Sequence, residues 1–231
     1  MSEVESILQR ADMEVSRSPQ ELCDWVDSKA SELSQTKEGK DYARSGAILP
    51  KKLWEELRPL GLFALCQYGP EDVKCTPNLS NDNYDGKIEF AKSSIPPIYV
   101  ELTYAKDGYD EHLRLKVLSS EGTVNALGKI TVSGTKASGQ TIEVENEAVD
   151  HVEVRDAALA LLKDRLAGKT NKQYGRAHVL VVVVDDYLPF RTDEDKKALV
   201  NHAQGIAPAL ELDFGAVYLL GASGKFCVQI L

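Results

Sequence analysis

Two acidic residues stand out by where they fall. Asp85 opens the short segment Asp85-Gly86-Lys87-Ile88-Glu89-Phe90, and Glu101 sits inside Ile98-Tyr99-Val100-Glu101-Leu102-Thr103-Tyr104-Ala105. The second segment is rich in β-branched and aromatic residues and reads as a strand. Its period of two sets Tyr99, Glu101, Thr103 and Ala105 on one face and Val100, Leu102 and Tyr104 on the other. A carboxylate flanked by Val100 and Leu102 is costly to bury without a partner. Either Glu101 pairs with a buried Arg or Lys while Asp85 caps a turn, or the two carboxylates share a divalent cation from neighbouring strands. Hard oxygen ligands suit Mg2+ or Mn2+. Such an ion can polarise a phosphodiester and lower the pKa of a bound water.

Other residues carry weaker signals. Asp185-Asp186 closes the apolar run Val179–Val184, a strand end of the kind where α/β proteins often hold ligands, although acids at strand ends are ordinary. His112 and Arg114 fall on the helix expected after the Glu101 strand, where a solvated face is the plain expectation. His151, His178 and His202 show no metal-ligand spacing. Cys23, Cys66, Cys75 and Cys227 form no Cys-x-x-Cys pair, which argues against zinc and against a disulfide framework. The stretch Ser133–Gly139 holds small donors and Lys136 but lacks the Gly-Lys-Ser or Gly-Lys-Thr of a phosphate loop. No nucleophile elbow, dinucleotide fingerprint or kinase signature is present.

The elements that must position these residues read as follows. Val4, Ile7, Leu8 and Ala11 predict a short amphipathic helix over 3–15. Ser18-Pro19-Gln20-Glu21 predicts a capped helix start, running into the polar stretch near Ser34–Gly39. A second start is expected at Pro50, with Leu53, Trp54, Leu57 and Leu60 as its stripe. Residues 70–83 read as a loop from their Pro and Asn content. Strands follow at Lys87–Ala91 and Ile98–Ala105, then a helix from Asp107-Gly108 to about Leu118. Two strands, Gly128–Val132 and Gln140–Val144, are joined through Ser133–Gly139 as a hairpin. A helix over 151–167 precedes Val179–Val184, whose unbroken apolar character suits a strand covered on both faces. A helix around 193–205 and a closing hairpin, Phe214–Leu220 with Lys225–Ile230, complete the chain. The order predicts an α/β fold: a mixed central sheet sandwiched by helices.

In the order helix, Asp-bearing strand, Glu-bearing strand, helix, buried strand, the chain over residues 50–190 resembles the restriction-endonuclease-like, or PD-(D/E)XK, superfamily. The resemblance implies a metal-dependent nuclease-like protein acting on DNA or RNA phosphodiesters, with Asp85 and Glu101 as ligands of Mg2+ or Mn2+. Glu56 matches an acidic residue that often assists from the preceding helix. Tyr84 stands where a proline is common, and Thr103 stands where the family carries its lysine. Thr103 would then orient water, and a displaced lysine would hold the transition-state charge: Lys87 first, with Lys163, Lys169 and Lys172 as further options. Lys169, Lys172 and Arg176 would meet the phosphate backbone. The stretch Val100–Asp150 is similar to poorly characterised bacterial and phage proteins. The alternative is a degenerate member of the fold that binds a protein or nucleic-acid partner without cleavage, favoured by Thr103 and by the net charge.

Composition sets the frame. The 231 residues are 43% apolar and 27% charged, enough for one sizeable core. The formal charge of −9 is unlike that of a protein that coats nucleic acid non-specifically. It is uneven, however: residues 1–105 carry 12 basic and 18 acidic side chains, whereas residues 106–180 carry 11 of each. No apolar run approaches the roughly 20 residues of a membrane span. The acidic start Met1–Glu5 lacks a secretory pattern, so a cytoplasmic location is expected. The division expected is a helical N-terminal extension over 1–46, available to a protein partner, and an α/β core over 47–231.

Overall fold

The computed structural model describes residues 4–90, 94–135 and 139–231. Its first elements are a 3-10 turn at Val4–Ser6 and a four-residue helix, α1 (Arg10–Met13), where one helix over 3–15 was expected. A segment this short makes too few backbone bonds to offset helix nucleation, and burial of Leu8 and Met13 is what fixes it. Helix α2 (Pro19–Ser34) starts as its sequence dictates. The Ser18 hydroxyl accepts from the Glu21 N–H, the Glu21 carboxylate accepts from the Ser18 N–H, and Pro19 occupies the first turn. The polar stretch beyond it forms another helix, α3 (Lys37–Arg44), with Thr36 as its cap.

Helix α4 (Ile48–Lys52) passes through a π turn at Leu53–Leu57 into α5 (Arg58–Tyr68). Pro59 accounts for the widened turn, since it has no N–H to offer the carbonyls one turn back. One of those carbonyls, on Trp54, accepts instead from the Tyr104 hydroxyl at 3.0 Å. Strand β1 (Val73–Pro77) lies where a loop was expected. Its Val73, Cys75 and Pro77 alternate inward, a pattern masked in the sequence by the surrounding Pro and Asn. An edge position tolerates its proline.

Strands β2 (Gly86–Phe90) and β3 (Ile98–Tyr104) precede α6 (Gly108–Glu121), capped by Asp107. Strands β4 (Ile130–Thr135) and β5 (Gly139–Val144) form a separate two-stranded ribbon. The strands run further than expected, since Ser133, Gly134 and Thr135 of the expected loop lie in β4 and Gly139 in β5. Residues 136–138, with Lys136, and the expected end of the earlier strand, Ala91, lie outside the described residues. Helix α7 (His151–Ala167), strand β6 (Gln173–Val184), helix α8 (Asp193–Ile206), a 3-10 turn at Ala207–Ala209, and strands β7 (Asp213–Gly221) and β8 (Cys227–Gln229) follow.

The main sheet has six strands in the order β1-β2-β3-β6-β7-β8. Strands β1, β2 and β3 pair antiparallel, β3, β6 and β7 parallel, and β8 antiparallel to β7. The apolar run in β6 divides between two cores. Val179, Val181 and Val183 join Leu22 and Val26 of α2, Phe63 of α5 and Val100 of β3 on one face. Leu180, Val182 and Val184 join Leu162 and Leu166 of α7 and Leu199 of α8 on the other. The chain is thus an α/β fold with a mixed sheet between helices. Leu8, Met13, Leu22, Val26 and Leu33 of the N-terminal segments pack in the first core. Among the described residues, no helix is long and apolar enough to cross a membrane.

Candidate functional site

Asp85 sits one residue before β2, where the β2–β3 ladder ends. Its N–H donates to the Val100 carbonyl at 2.8 Å, and its carboxylate accepts from the Leu102 N–H at 2.7 Å. One side chain thereby substitutes for a ladder bond and is anchored against β3. That is the only protein donor to its carboxylate among the described residues. Burial raises the Asp85 pKa to about 7, the Leu102 N–H opposes the rise, and the nearby Glu101 and Glu56 carboxylates add to it. The Lys169 ammonium pulls in the other direction. Asp85 therefore exchanges a proton near neutrality, where an ordinary aspartate is fully ionised.

Glu101 faces away from the Val100 side of β3, as its alternation requires. It accepts from the Lys169 ammonium at 2.6 Å and from the Tyr174 hydroxyl at 3.2 Å, and both bonds fall on Oε1. The side chains of Glu101 and Lys169 are each only 14% exposed. Lys169 lies just beyond α7, 68 residues along the chain. It is the cation that the sequence placed among the phosphate-contacting residues, and the fold sets it on the second carboxylate. Lys87, expected as the displaced lysine, instead pairs with Glu89 at 3.0 Å, two residues along the same face of β2. Lys172 and Arg176 are exposed, in the turn before β6 and at its start.

A cleft of about 840 Å³ opens onto this corner. Asp85 and Thr103 line it together with Glu56 and Trp54 of the π turn, Tyr109 of α6 and Arg165 of α7. Glu101 is not part of that wall. Glu56 is partly neutralised by Lys52 at 2.7 Å, and burial raises its carboxyl above the usual range. The π turn matters here because it turns Glu55 and Glu56 to the cleft while Tyr104 ties it to β3. Sequence periodicity did not reveal this turn; the proline two residues beyond Leu57 was its one signal.

The remaining candidates take structural places. Asp186 is buried and accepts from both the N–H and the hydroxyl of Ser223, closing the turn between β7 and β8. A side chain at Gly221 would fall 2.6 Å from its Oδ2, so a glycine is required there. Asp185 accepts from the Tyr187 N–H. His112 lies on the cleft wall, and Arg114 donates to the Gly128 carbonyl, holding the β4–β5 ribbon to α6.

Whether the corner fits a divalent cation turns on its donors. Among the described residues, no group of three or more His, Cys, Asp or Glu side chains is set to hold a metal ion. Asp85 and Glu101 do supply hard oxygens, including Glu101 Oε2, which takes no protein donor among the described residues, and burial, with the Glu101 and Glu56 charges adding to it, raises the Asp85 pKa to about 7. Two carboxylates fit Mg2+ or Mn2+ when water and substrate oxygens complete the shell. No family model, curated protein or solved structure matches the chain, so its family is not fixed by comparison.

Proposed function

We propose that the chain is a metal-dependent nuclease-like protein acting on phosphodiesters of DNA or RNA, with Asp85 and Glu101 at its centre. The observation that carries this reading is the cluster at the β2–β3 corner: an aspartate held near neutrality, a glutamate beside it, and a lysine ammonium on that glutamate. The mixed sheet, with two antiparallel steps followed by a parallel crossover to β6, supports the reading at the level of a general α/β fold.

Asp85 and Glu101 would hold Mg2+ or Mn2+. When bound, the ion would supply a Lewis acid that polarises a phosphodiester and acidifies water. The chain's own residues do the rest. Asp85 is positioned by the Leu102 N–H, and without the ion it keeps its proton up to about pH 7, so binding the ion would release that proton. Thr103 offers a hydroxyl on the cleft wall to orient water. Lys169, bonded to Glu101, would hold developing negative charge, with Lys87 as the other lysine near Asp85 along the chain. Lys172 and Arg176 would meet phosphates farther along the strand.

A second reading, a binding protein of the same architecture that does not cleave, is favoured by one specific observation: Lys169 already neutralises Glu101. Incubation of labelled DNA and RNA with Mg2+ or Mn2+ separates the two. Cleavage should occur and fall at least about 100-fold in Asp85→Asn and in Glu101→Gln, with melting transitions retained. Cleavage that survives both substitutions removes these residues from the chemistry. Absence of both cleavage and a calorimetric signal at millimolar Mg2+ leaves the binding reading.

A further inference from the structure

Strand β6 has 12 residues, and its two halves differ. Val179–Val184 is buried on both faces, whereas Gln173–His178 is exposed or half-buried. Around that outer half the sheet gathers aromatic rings from four separate segments. Tyr84 precedes β2, Tyr99 lies on β3, Tyr174 and His178 lie on β6, and Phe214 lies on β7. Tyr84 and Tyr99 have ring centres 4.8 Å apart, and Tyr99 stacks on His178 at 5.1 Å. His178 meets the edge of Tyr174 at 5.7 Å, and Tyr174 stacks on Phe214 at 4.3 Å. The result is a continuous row across the sheet.

At one end the row joins the second core through Phe214, and the rest of it lies outside both cores. Tyr84, Tyr99, Tyr174 and His178 belong to neither cluster of packed hydrophobic residues, and all four remain half-buried. Both ring nitrogens of His178 are shielded from water and, among the described residues, neither has a hydrogen-bond partner, so it joins the row through its ring, against Tyr99 and Tyr174. Cations flank the row. Lys87, paired with Glu89, is the register partner of Tyr99, and the exposed Lys172 and Arg176 lie on either side of Tyr174 along the chain. The row also touches the acid corner directly, because the Tyr174 hydroxyl donates to Glu101.

Half-buried aromatic rings bordered by exposed cations match one class of polymer best. Unpaired bases stack on aromatic rings while their phosphates meet Lys and Arg. A duplex keeps its base faces covered, and the row would then offer it little beyond charge. We infer that the Tyr84–Tyr99–His178–Tyr174–Phe214 row is a stacking track for single-stranded nucleic acid, leading to the Asp85–Glu101 corner. The direction of that track rests on the nuclease reading; the binding itself does not.

The test is therefore run in EDTA, where no divalent ion is available. Fluorescein-labelled oligo(dT) and oligo(U) of about 12 nucleotides are titrated with the full chain and compared with a blunt duplex of the same length. At least one single strand should bind about ten-fold more tightly than the duplex. Tyr84→Leu and Tyr99→Leu should each weaken that binding by about five-fold or more. Tyr84 lies outside the sheet ladder, so its variant decides the matter if Tyr99→Leu lowers the melting temperature. A 2-aminopurine base in the strand should be quenched on binding to the native chain and less so on binding to Tyr84→Leu. Equal or better duplex binding overturns the inference. So does strand affinity, with 2-aminopurine quenching, that is unchanged by Tyr84→Leu. Strand binding in EDTA without cleavage in magnesium fails only the nuclease reading, and cleavage without strand preference fails only this one.

Discussion

Asp85 and Asp186 lie beside strands of the same sheet, and both are withdrawn from water, yet they have opposite chemistry. Asp186, just past the end of β6, is the more buried of the two, at 7% exposed. It receives an N–H and a hydroxyl from one residue, Ser223, on the neighbouring hairpin turn. Asp85, just before β2, receives a single backbone N–H and faces two further carboxylates. Burial alone does not make a reactive acid. The decisive quantity is how far local donors repay the lost hydration. A repaid aspartate shapes a turn, and an underpaid one retains a proton near neutrality and an appetite for a cation.

The largest way to break that contrast is through pH. Folded Asp85 keeps its proton up to about pH 7, whereas in the unfolded chain it loses it near its ordinary value of 3.8. The folded chain then binds more protons across that window, so stability falls as pH rises through it. The loss attributable to this group is roughly 2–4 kcal/mol, and Asp85→Asn should remove it. Denaturant titrations of both proteins at pH 4 and pH 8 measure the difference. If the two proteins lose equal stability between those pH values, the Asp85 assignment is wrong. Added Mg2+ should oppose the loss in the native chain only, because a cation favours the ionised carboxylate.

Asp186 gives the converse. Asp186→Ala leaves the Ser223 N–H and hydroxyl without their acceptor and should cost roughly 1–3 kcal/mol, measured by denaturant titration. A variant as stable as the native chain would show that the β7–β8 turn does not need its carboxylate.

The two lysines sharpen the comparison at the smallest scale. Lys169→Met strips a buried partner from Glu101 and should cost about 1–3 kcal/mol. It should also move the Asp85 titration upward, since Lys169 is the cation that lowers it. Lys87→Ala removes a partly exposed pair with Glu89 and should change stability by no more than about 0.5 kcal/mol. An Asp85 midpoint, followed by carboxyl NMR, that shifts in Lys87→Ala and not in Lys169→Met would reverse the roles given to the two residues.

Much of the scaffold is legible without coordinates. The Ser18–Glu21 capping box, the helix over 151–167, the doubly covered strand at Val179–Val184 and the closing hairpin are all written in local pattern. In each case caps, periodicity and continuous apolar character act within a few residues. β1 is not legible, because a five-residue edge strand is outweighed by the Pro and Asn around it. The π turn is not legible either, because its cause is one proline and its compensation is a hydroxyl 50 residues away.

The same division holds for the site. Alternation along β3 was enough to isolate Glu101 as a carboxylate in need of a partner, and strand order was enough to bring Asp85 near it. Which cation answers Glu101 was decided by the docking of the α7 end against β3, where Lys169 reaches it; local spacing placed Lys87 beside Asp85 and named no partner for Glu101. The Asp85 pKa and the aromatic row belong to tertiary structure as well. Both arise from residues that meet across strands and turns far apart in the chain. A sequence fixes hydrogen-bond capacity and charge residue by residue, but partnership and dielectric surroundings exist only once the chain has folded.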